Sequence, residues 1–267
     1  MRRLVVHFIC VIALATLSGA SIHAQSAQSK PFEPTVGQAG KDVVWVPTDQ
    51  RLVDKMLEMA RVTPQDYLMD LGSGDGRTVI TAAKRGVRAE GIEYNPDMVD
   101  LAKRNAAAAG VGDRATFARA DIFETDFSKA TVLTLFLLPQ LNERLRPTIL
   151  NMKPGTRVVS NSFDMGDWSA DQTETIPNCS SSFCTALMWI VPAKVAGTWQ
   201  LGNDTLTLDQ KYQTISGRLG SAVISEGKLN GTDISFTAGG RKYTGKVDGS
   251  SMSGSIAGGA TWTATKR

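Results

Sequence analysis

The chain has 267 residues, enough for one large domain and a small one, and a formal net charge of +3 at pH 7. Hydrophobic residues make up 42% and charged residues 21%, which excludes a disordered or fibrous chain. Because the net charge is small and no basic run occurs, we do not expect nucleic acid as a partner.

The first 24 residues have the pattern of a secretory signal peptide. A basic start, Met1-Arg2-Arg3, precedes an apolar run over 4–17 and a stretch rich in small residues that ends at Ala24. The apolar run is shorter than the roughly 20 residues of a transmembrane helix, so cleavage near Ala24 is favoured over an uncleaved anchor. We expect an exported, periplasmic protein that meets a membrane only if the signal is retained. A cytosolic protein with an unprocessed N-terminus is the alternative.

Two cysteines lie outside that segment, Cys179 and Cys184, in a stretch rich in Pro, Asn and Ser. In an exported protein this C-x4-C spacing predicts a disulfide across a tight turn, with two free thiols as the alternative. A zinc site needs more ligands, and the histidines of the chain lie in the signal segment. We therefore expect no metal.

Residues 25–41 are polar and contain two prolines, which predicts a linker. Beyond a short extended segment over 42–47, Thr48 is expected to cap a helix over 49–61. Strand and helix patterns then alternate, which is typical of a parallel α/β sheet. Strands are expected over 67–71, 87–92, 115–118, 131–137, 156–160, 173–176 and 186–191, and helices over 78–84, 95–109 and 142–152. The last two strands should form an antiparallel pair.

From Gly197 onward the chain is rich in Gly, Ser and Thr, and the helical pattern is lost. Short alternating runs and three glycine-containing hairpin signals predict a small antiparallel sheet or barrel over 197–267. Its core is expected to contain Trp199, Phe236, Tyr243 and Trp262. No chemistry is visible in this domain, which either binds a partner or stabilises the fold.

The stretch over 67–77, Y-L-M-D-L-G-S-G-D-G-R, joins a strand to a helix through a glycine turn. Glycine lets the backbone approach a ligand closely, so this turn predicts a cleft for a nucleoside or a phosphate. The dinucleotide fingerprint G-x-G-x-x-G is excluded because Arg77 stands at its last position. Asp70 lies near the end of the strand, and Glu93 ends the next strand along the chain.

These two acids and the G-x-G-x-G turn resemble motif I, and the acidic position after it, of the seven-strand methyltransferases that use S-adenosylmethionine (SAM). The region over 44–168 resembles more closely the protein-lysine methyltransferases of this fold, such as those acting on the ATP synthase c-subunit. The shared features are V-P-T before a helix, D-L-G-S-G-D-G-R, G-I-E-Y-N-P, L-P-Q after the fourth strand, and P-G-T-R-V-V-S-N-S-F followed by Trp168. The resemblance implies an α/β fold with a Rossmann-like seven-stranded methyltransferase sheet over 42–193, followed by the small antiparallel all-β domain.

The resemblance also implies SAM as co-substrate, and the chemistry of SAM assigns roles to the acids. Glu93 should accept hydrogen bonds from both ribose hydroxyls and Asp121 one from the adenine amino group, while Asp70 orders the turn or meets the ammonium through water. The residues expected to bind SAM are Thr48, Asp70, Gly72, Ser73, Gly74, Gly76, Glu93, Tyr94, Asp121 and Ile122. The acceptor should bind after the fourth strand, where the candidates are Pro139, Gln140 and Asn142.

We expect the chain to move a methyl group from SAM to a protein, with lysine as one option, or to a small molecule. No N-P-P-Y motif follows the fourth strand, which disfavours nucleic acid and glutamine as acceptors. The sulfonium is already activated, so positioning and exclusion of water are enough and no dedicated base is required. The alternative is an exported protein that binds SAM or a related nucleoside without turnover, with a partner-binding β domain.

Overall fold

A computed structural model describes residues 32–267. The expected signal peptide and its cleavage point at Ala24 lie outside the described residues. Within residues 32–267, no helix is both long enough and apolar enough to cross a membrane.

The part of the described chain before residue 191 forms a seven-stranded sheet with the order β3-β2-β1-β4-β5-β7-β6. The strands are β1 (Tyr67–Leu71), β2 (Arg88–Glu93), β3 (Ala115–Arg119), β4 (Val132–Leu135), β5 (Arg157–Asn161), β6 (Gln172–Thr175) and β7 (Thr185–Ile190). The first five are parallel, whereas β7 runs antiparallel to both of its neighbours. This confirms the Rossmann-like methyltransferase sheet and the antiparallel pair at its end.

The helices cover both faces of the sheet. They are α1 (Gln50–Met59), α2 (Arg77–Lys84), α3 (Pro96–Ala108) and α4 (Pro139–Ile149). Successive strand residues point to opposite faces: Leu68 belongs to the apolar cluster that contains α1, α2 and α3, and Met69 to the one that contains α4. The central strand β4 is buried along its whole length, as expected for a parallel strand covered on both faces.

Two predicted helix starts were wrong. Thr48 does not cap α1; Asp49 does, and its carboxylate accepts a hydrogen bond from the Arg51 amide at 2.9 Å. Helix α4 begins at Pro139, three residues before the predicted start at Asn142, and ends at Ile149. Proline suits the first turn of a helix because its fixed φ is already helical and its missing N–H would have had no partner there.

Residues 197–267 form an antiparallel β barrel. Its strands are β8 (Gly197–Leu201), β9 (Asp204–Lys211), β10 (Thr214–Leu219), β11 (Ala222–Val223), β12 (Ser225–Asn230), β13 (Asp233–Ala238), β14 (Arg241–Asp248), β15 (Ser251–Ile256) and β16 (Thr261–Lys266). Pairing of β8 with β16 joins the two ends of the domain and closes the barrel, β9 pairs with β10, and the short β11 also pairs with β10. The predicted aromatic core is confirmed, because Trp199, Phe236, Tyr243 and Trp262 are all buried.

The barrel is attached to the sheet domain around Trp168. The indole N–H of this fully buried residue donates to Gln213 of the barrel at 2.9 Å, and its ring stacks on Tyr212 with the centroids 5.8 Å apart. Tyr212 in turn donates its hydroxyl to Asp167 at 2.7 Å. Because the Trp168 and Tyr212 rings stack and their polar groups are hydrogen-bonded across the junction, the junction is part of the folded core.

The sheet order decides where a ligand can bind. The chain leaves β1 in one direction to β2 and β3, and it later returns to the other side of β1 to form β4 and β5. Such a switch point opens a crevice at the carboxyl ends of the strands. The start of the antiparallel β7 reaches the same edge, because Ala186 pairs with Asn161 at the end of β5.

Candidate active site

A cavity of about 550 Å³ lies at this edge of the sheet. Its size falls in the range of about 300–1,000 Å³ that is typical of sites for small molecules. The walls come from residues 38–48, from the glycine turn after β1, and from the ends of β2, β3, β4 and β5. The expected SAM-binding residues all line it except Gly76.

The three glycines of the turn have positive φ angles of 85°, 52° and 83°, but they serve different purposes. Gly72 and Gly74 line the cavity, and a Cβ at Gly74 would lie 2.7 Å from the Trp45 ring nitrogen. A Cβ at Gly76 would instead lie 2.7 Å from the Phe117 ring, on the far side of the turn. Gly76 is therefore required for packing of α2 against the sheet.

The Glu93 carboxylate points at the glycine turn. One oxygen accepts a hydrogen bond from the Gly74 amide at 3.0 Å, and the other accepts one from the Asn95 amide at 2.9 Å. A carboxylate oxygen can accept two hydrogen bonds, so each still has room for a ligand hydroxyl. The half-buried side chain thus presents two charged acceptors to the cavity next to a backbone that a ligand can approach closely.

Asp121 lines the cavity but is paired with a lysine. The Lys41 ammonium donates to its carboxylate, and this hydrogen bond lowers the pKa of Asp121 and raises the pKa of Lys41. Lys41 also lies over the ring of the exposed Tyr94, 4.8 Å from its centroid.

The predicted linker over 25–41 extends too far, because residues 38–41 form part of the cavity wall. The Lys41 charge and the backbone bridge between Ala39 and Val44 hold them there.

Asp70 lies beneath the glycine turn and is 7% exposed. It accepts a hydrogen bond of 2.6 Å from the buried Thr134 hydroxyl. Burial raises the pKa of Asp70 to about 7, against the opposing effect of that hydrogen bond. The neighbouring Ser73 hydroxyl is buried and finds no hydrogen-bond partner among residues 32–267.

Thr48 is fixed at the cavity wall from two sides. Its hydroxyl accepts a hydrogen bond from the Asn161 amide group at 3.2 Å, and its carbonyl accepts one from Arg77 at 2.7 Å. Arg77 also binds Asp75 of the glycine turn, with its Nε 3.0 Å from the carboxylate. The segment before α1 is thereby connected to both the turn and the end of β5.

The three acceptor-side candidates do not line the cavity. Pro139 opens α4, Gln140 is exposed, and Asn142 is completely buried. The Asn142 side-chain amide donates to the backbone carbonyls of Phe163 at 3.2 Å and of Asp164 at 3.0 Å. Its place in the structure is below the site, where it holds the loop after β5.

Three phenylalanines line the cavity instead: Phe136, Phe163 and Phe183. All three are half-buried, and their ring centroids lie 5.3–6.1 Å apart. We refer to them as the phenylalanine cluster. Sequence analysis did not assign these three residues to the site, although the motif P-G-T-R-V-V-S-N-S-F ends at Phe163. An aromatic residue directly after a strand is the signal that could have found Phe136, but Phe183 comes from a loop whose position the sequence does not reveal.

The loop that carries Phe183 is held by a disulfide and by hydrogen bonds to Asp49. Cys179 and Cys184 are joined in a disulfide, and Phe183 immediately precedes the second cysteine. Ser180 donates both its amide and its hydroxyl to the Asp49 carboxylate, at 3.0 and 2.7 Å. Asp49 also caps α1, so the disulfide loop is attached to the helix that follows the cavity wall.

A seven-stranded sheet of this order, with an acid facing a glycine turn at the switch point, defines a SAM-dependent methyltransferase. Residues 70–172 match a family model described as the ANTKMT methyltransferase domain. A protein-lysine N-methyltransferase of Saccharolobus islandicus (strain REY15A) is 45% identical over 130 residues, which are 48% of this chain and 81% of the relative. The lysine N-methyltransferase of Mus musculus that is named for the ATP synthase c-subunit is 35% identical over 130 residues, 48% of this chain and 52% of the relative.

Among solved structures, an RNA methyltransferase from Salinibacter ruber in complex with S-adenosyl-L-homocysteine (SAH) is 47% identical. The match has a TM-score of 0.53 and covers 56% of this chain and 96% of the other.

The chain therefore belongs to the family of SAM-dependent methyltransferases that includes the archaeal protein-lysine enzyme. It spans about half the length of the mouse relative, and the family model ends at residue 172, before the barrel. The co-substrate is SAM, whose diol, amino group and ammonium suit the acids of the cavity. No cluster of His, Cys, Asp or Glu side chains within residues 32–267 is suited to a metal ion.

Proposed function

We propose that the protein transfers the methyl group of SAM to the side-chain amine of a lysine in a protein acceptor. The observation that carries the proposal is the composition of the cavity. An acid beside a glycine turn lies on its β2 side, and an apolar aromatic cluster lies on its β4–β5 side. The names of the archaeal and mouse relatives support lysine as the acceptor.

SAM supplies a methyl group already activated on a sulfonium. Glu93 is assigned to the ribose, for which each carboxylate oxygen keeps one free lone pair. Asp121 is assigned to the adenine amino group, after Lys41 has moved aside. The backbone at Gly72 and Gly74 accommodates the methionine, with Asp70 below it.

The reaction asks little of this chain besides positioning. The acceptor nitrogen must be neutral, because its lone pair forms the new N–C bond as the S–C bond breaks and the electron pair stays on sulfur. A lysine amine has a pKa of about 10.4 in water, and an apolar wall lowers this value by disfavouring the ammonium. The extra proton of the methylated product passes to solvent. Orientation and exclusion of water account for the rate.

Export remains part of the proposal. The N-terminal segment has the pattern of a signal peptide, and the Cys179–Cys184 disulfide suits an oxidising compartment. The mass of the mature protein isolated from cells tests this: a chain that begins after Ala24 is expected, and an intact N-terminus in the cytosol would contradict export.

A transfer assay tests the acceptor. Purified protein is incubated with methyl-labelled SAM and with separated protein and RNA fractions of a cell extract. We expect label in protein only, recovered as methyllysine after acid hydrolysis. The name of the Salinibacter structure makes RNA the competing acceptor. Label confined to RNA, or label in neither fraction from a protein that binds SAM, would overturn the proposal.

A further inference from the structure

The phenylalanine cluster forms an apolar wall on one side of the cavity, and its three rings are in contact with one another. Phe136 and Phe183 meet edge to face, with their centroids 5.3 Å apart and their planes at 66°. Phe163 completes the triangle, 6.1 Å from Phe136 and 5.6 Å from Phe183. Half-buried aromatic side chains of this kind are hydrophobic surface left uncovered in the free protein, and such surface often marks a binding site.

The cluster lies on the acceptor side of the cavity. Phe136 follows β4, Phe163 follows β5, and Phe183 precedes β7. Glu93 ends β2 and Asp121 follows β3, on the other side of β1. A nucleoside held by these acids therefore places its ribose and base away from the rings. The part of the cavity in front of the rings is left for the group that approaches across the glycine turn.

Two rings are positioned by groups that do not themselves line the cavity. The buried Asn142 amide holds the carbonyl of Phe163 at 3.2 Å. The disulfide closes the loop just before β7 and so fixes the backbone next to Phe183. The bond of Ser180 to Asp49 anchors the same loop at 2.7 Å. Such supports reduce the freedom that the rings would lose on binding an acceptor.

We propose that the acceptor lysine enters the cavity along the phenylalanine cluster, which forms one wall of a lysine channel, and that the Cys179–Cys184 disulfide positions the outer part of this wall by fixing Phe183. The inference rests on the proposed lysine acceptor. Rings of this kind contact the four methylenes of a lysine through apolar surface, and a wall without polar groups favours the neutral amine that the transfer needs. An unbranched primary amine is thus the chemical class that the channel selects.

The test uses a bisubstrate probe, which needs no knowledge of the natural acceptor. In this probe, nitrogen replaces the sulfur of SAH and is joined through an ethylene bridge to the nitrogen of n-butylamine, so that the butyl chain takes the place of the lysine methylenes. Calorimetry gives the dissociation constants of SAH and of the probe for the full oxidised chain. For the unsubstituted protein, we expect the probe to bind at least about tenfold more tightly than SAH, because the butyl methylenes are buried against the rings.

The variants separate the channel from the SAM site. F183A is expected to lose about tenfold in affinity for the probe while its affinity for SAH stays within about twofold. F183Y, which keeps an aromatic face, should retain probe binding. The double variant C179S/C184S should lose part of the gain in affinity that the probe has over SAH. F32A removes a half-buried phenylalanine that does not line the cavity, and it should change neither constant.

Two results would overturn different parts of the account. If F183A and F163A both keep the full preference for the probe, the channel is elsewhere, although lysine can still be the acceptor. If the unsubstituted protein binds the probe no more tightly than SAH, the lysine acceptor itself is contradicted. Unchanged SAH binding shows in each case that the variant is folded.

Discussion

Replacing Glu93 by glutamine is the sharpest test of the SAM site. The amide keeps the size of the side chain and one acceptor oxygen, which can still serve the Gly74 or Asn95 amide. It removes the charge from two hydrogen bonds to the ribose. A bond to a charged group contributes about 1.5–3 kcal/mol and a neutral one about 0.5–1.5 kcal/mol, so the pair loses about 2–3 kcal/mol. The dissociation constant for SAM should rise by about 30- to 150-fold.

Calorimetric titration with SAM measures this change, and the melting temperature shows whether the variant is folded. The matched control is E90Q, because Glu90 lies on the same strand but binds the Tyr67 hydroxyl and does not line the cavity. We expect SAM affinity of E90Q to equal that of the unsubstituted protein. A folded E93Q that binds SAM within about threefold of the unsubstituted protein would refute the ribose assignment.

Three further changes test separate parts of the structure. Burial raises the pKa of Asp70 to about 7, so between about pH 4 and pH 7 the folded state keeps a proton that the unfolded state has lost. The free energy of unfolding, measured by denaturant titration, should therefore fall over this pH range. D70N should lack this fall. K41M frees the Asp121 carboxylate, and since an exposed ion pair is weak and screened by salt, calorimetry should show SAM binding up to about fivefold tighter. Q213A leaves the Trp168 indole N–H without its partner and should lower the free energy of unfolding by about 1–3 kcal/mol.

Two of these changes have a matched control in the chain. K55M removes a lysine paired with Glu58 on α1, away from the cavity, and should leave SAM affinity unchanged. Q172A removes an exposed glutamine and should leave stability unchanged. If D70N keeps the pH dependence, the raised pKa of Asp70 is contradicted. If K41M weakens SAM binding, Lys41 does not compete with SAM for Asp121. If Q213A is as stable as Q172A, the hydrogen bond from Trp168 to Gln213 does not stabilise the junction.

The sequence predicts the central part of the fold well because the signals there are local. Strand β1 has the predicted bounds, since an apolar run ends directly at a glycine turn. Glu93 ends the strand next to β1, and parallel strands bring their carboxyl ends to one edge. A motif that joins strand, turn and helix within a few residues therefore predicts both the sheet and the cofactor side of the cavity.

The acceptor side depends on contacts that sequence patterns do not encode. Phe136, Phe163 and Phe183 meet only because β7 turns back beside β5. Lys41 reaches Asp121 across 80 positions of the chain, so a polar stretch read as a linker becomes a wall of the site. The barrel shows the same limit: hairpins are local, but closure through β8 and β16 joins the two ends of the domain.

A crystal structure of the protein with SAH tests the central claim most directly, because it measures the distances from Glu93 to the ribose hydroxyls. We predict both hydroxyls at about 2.5–3.0 Å from the Glu93 carboxylate, with the sulfur facing the phenylalanine cluster. A ribose that makes no contact with Glu93, or a sulfur turned away from the three rings, would contradict this.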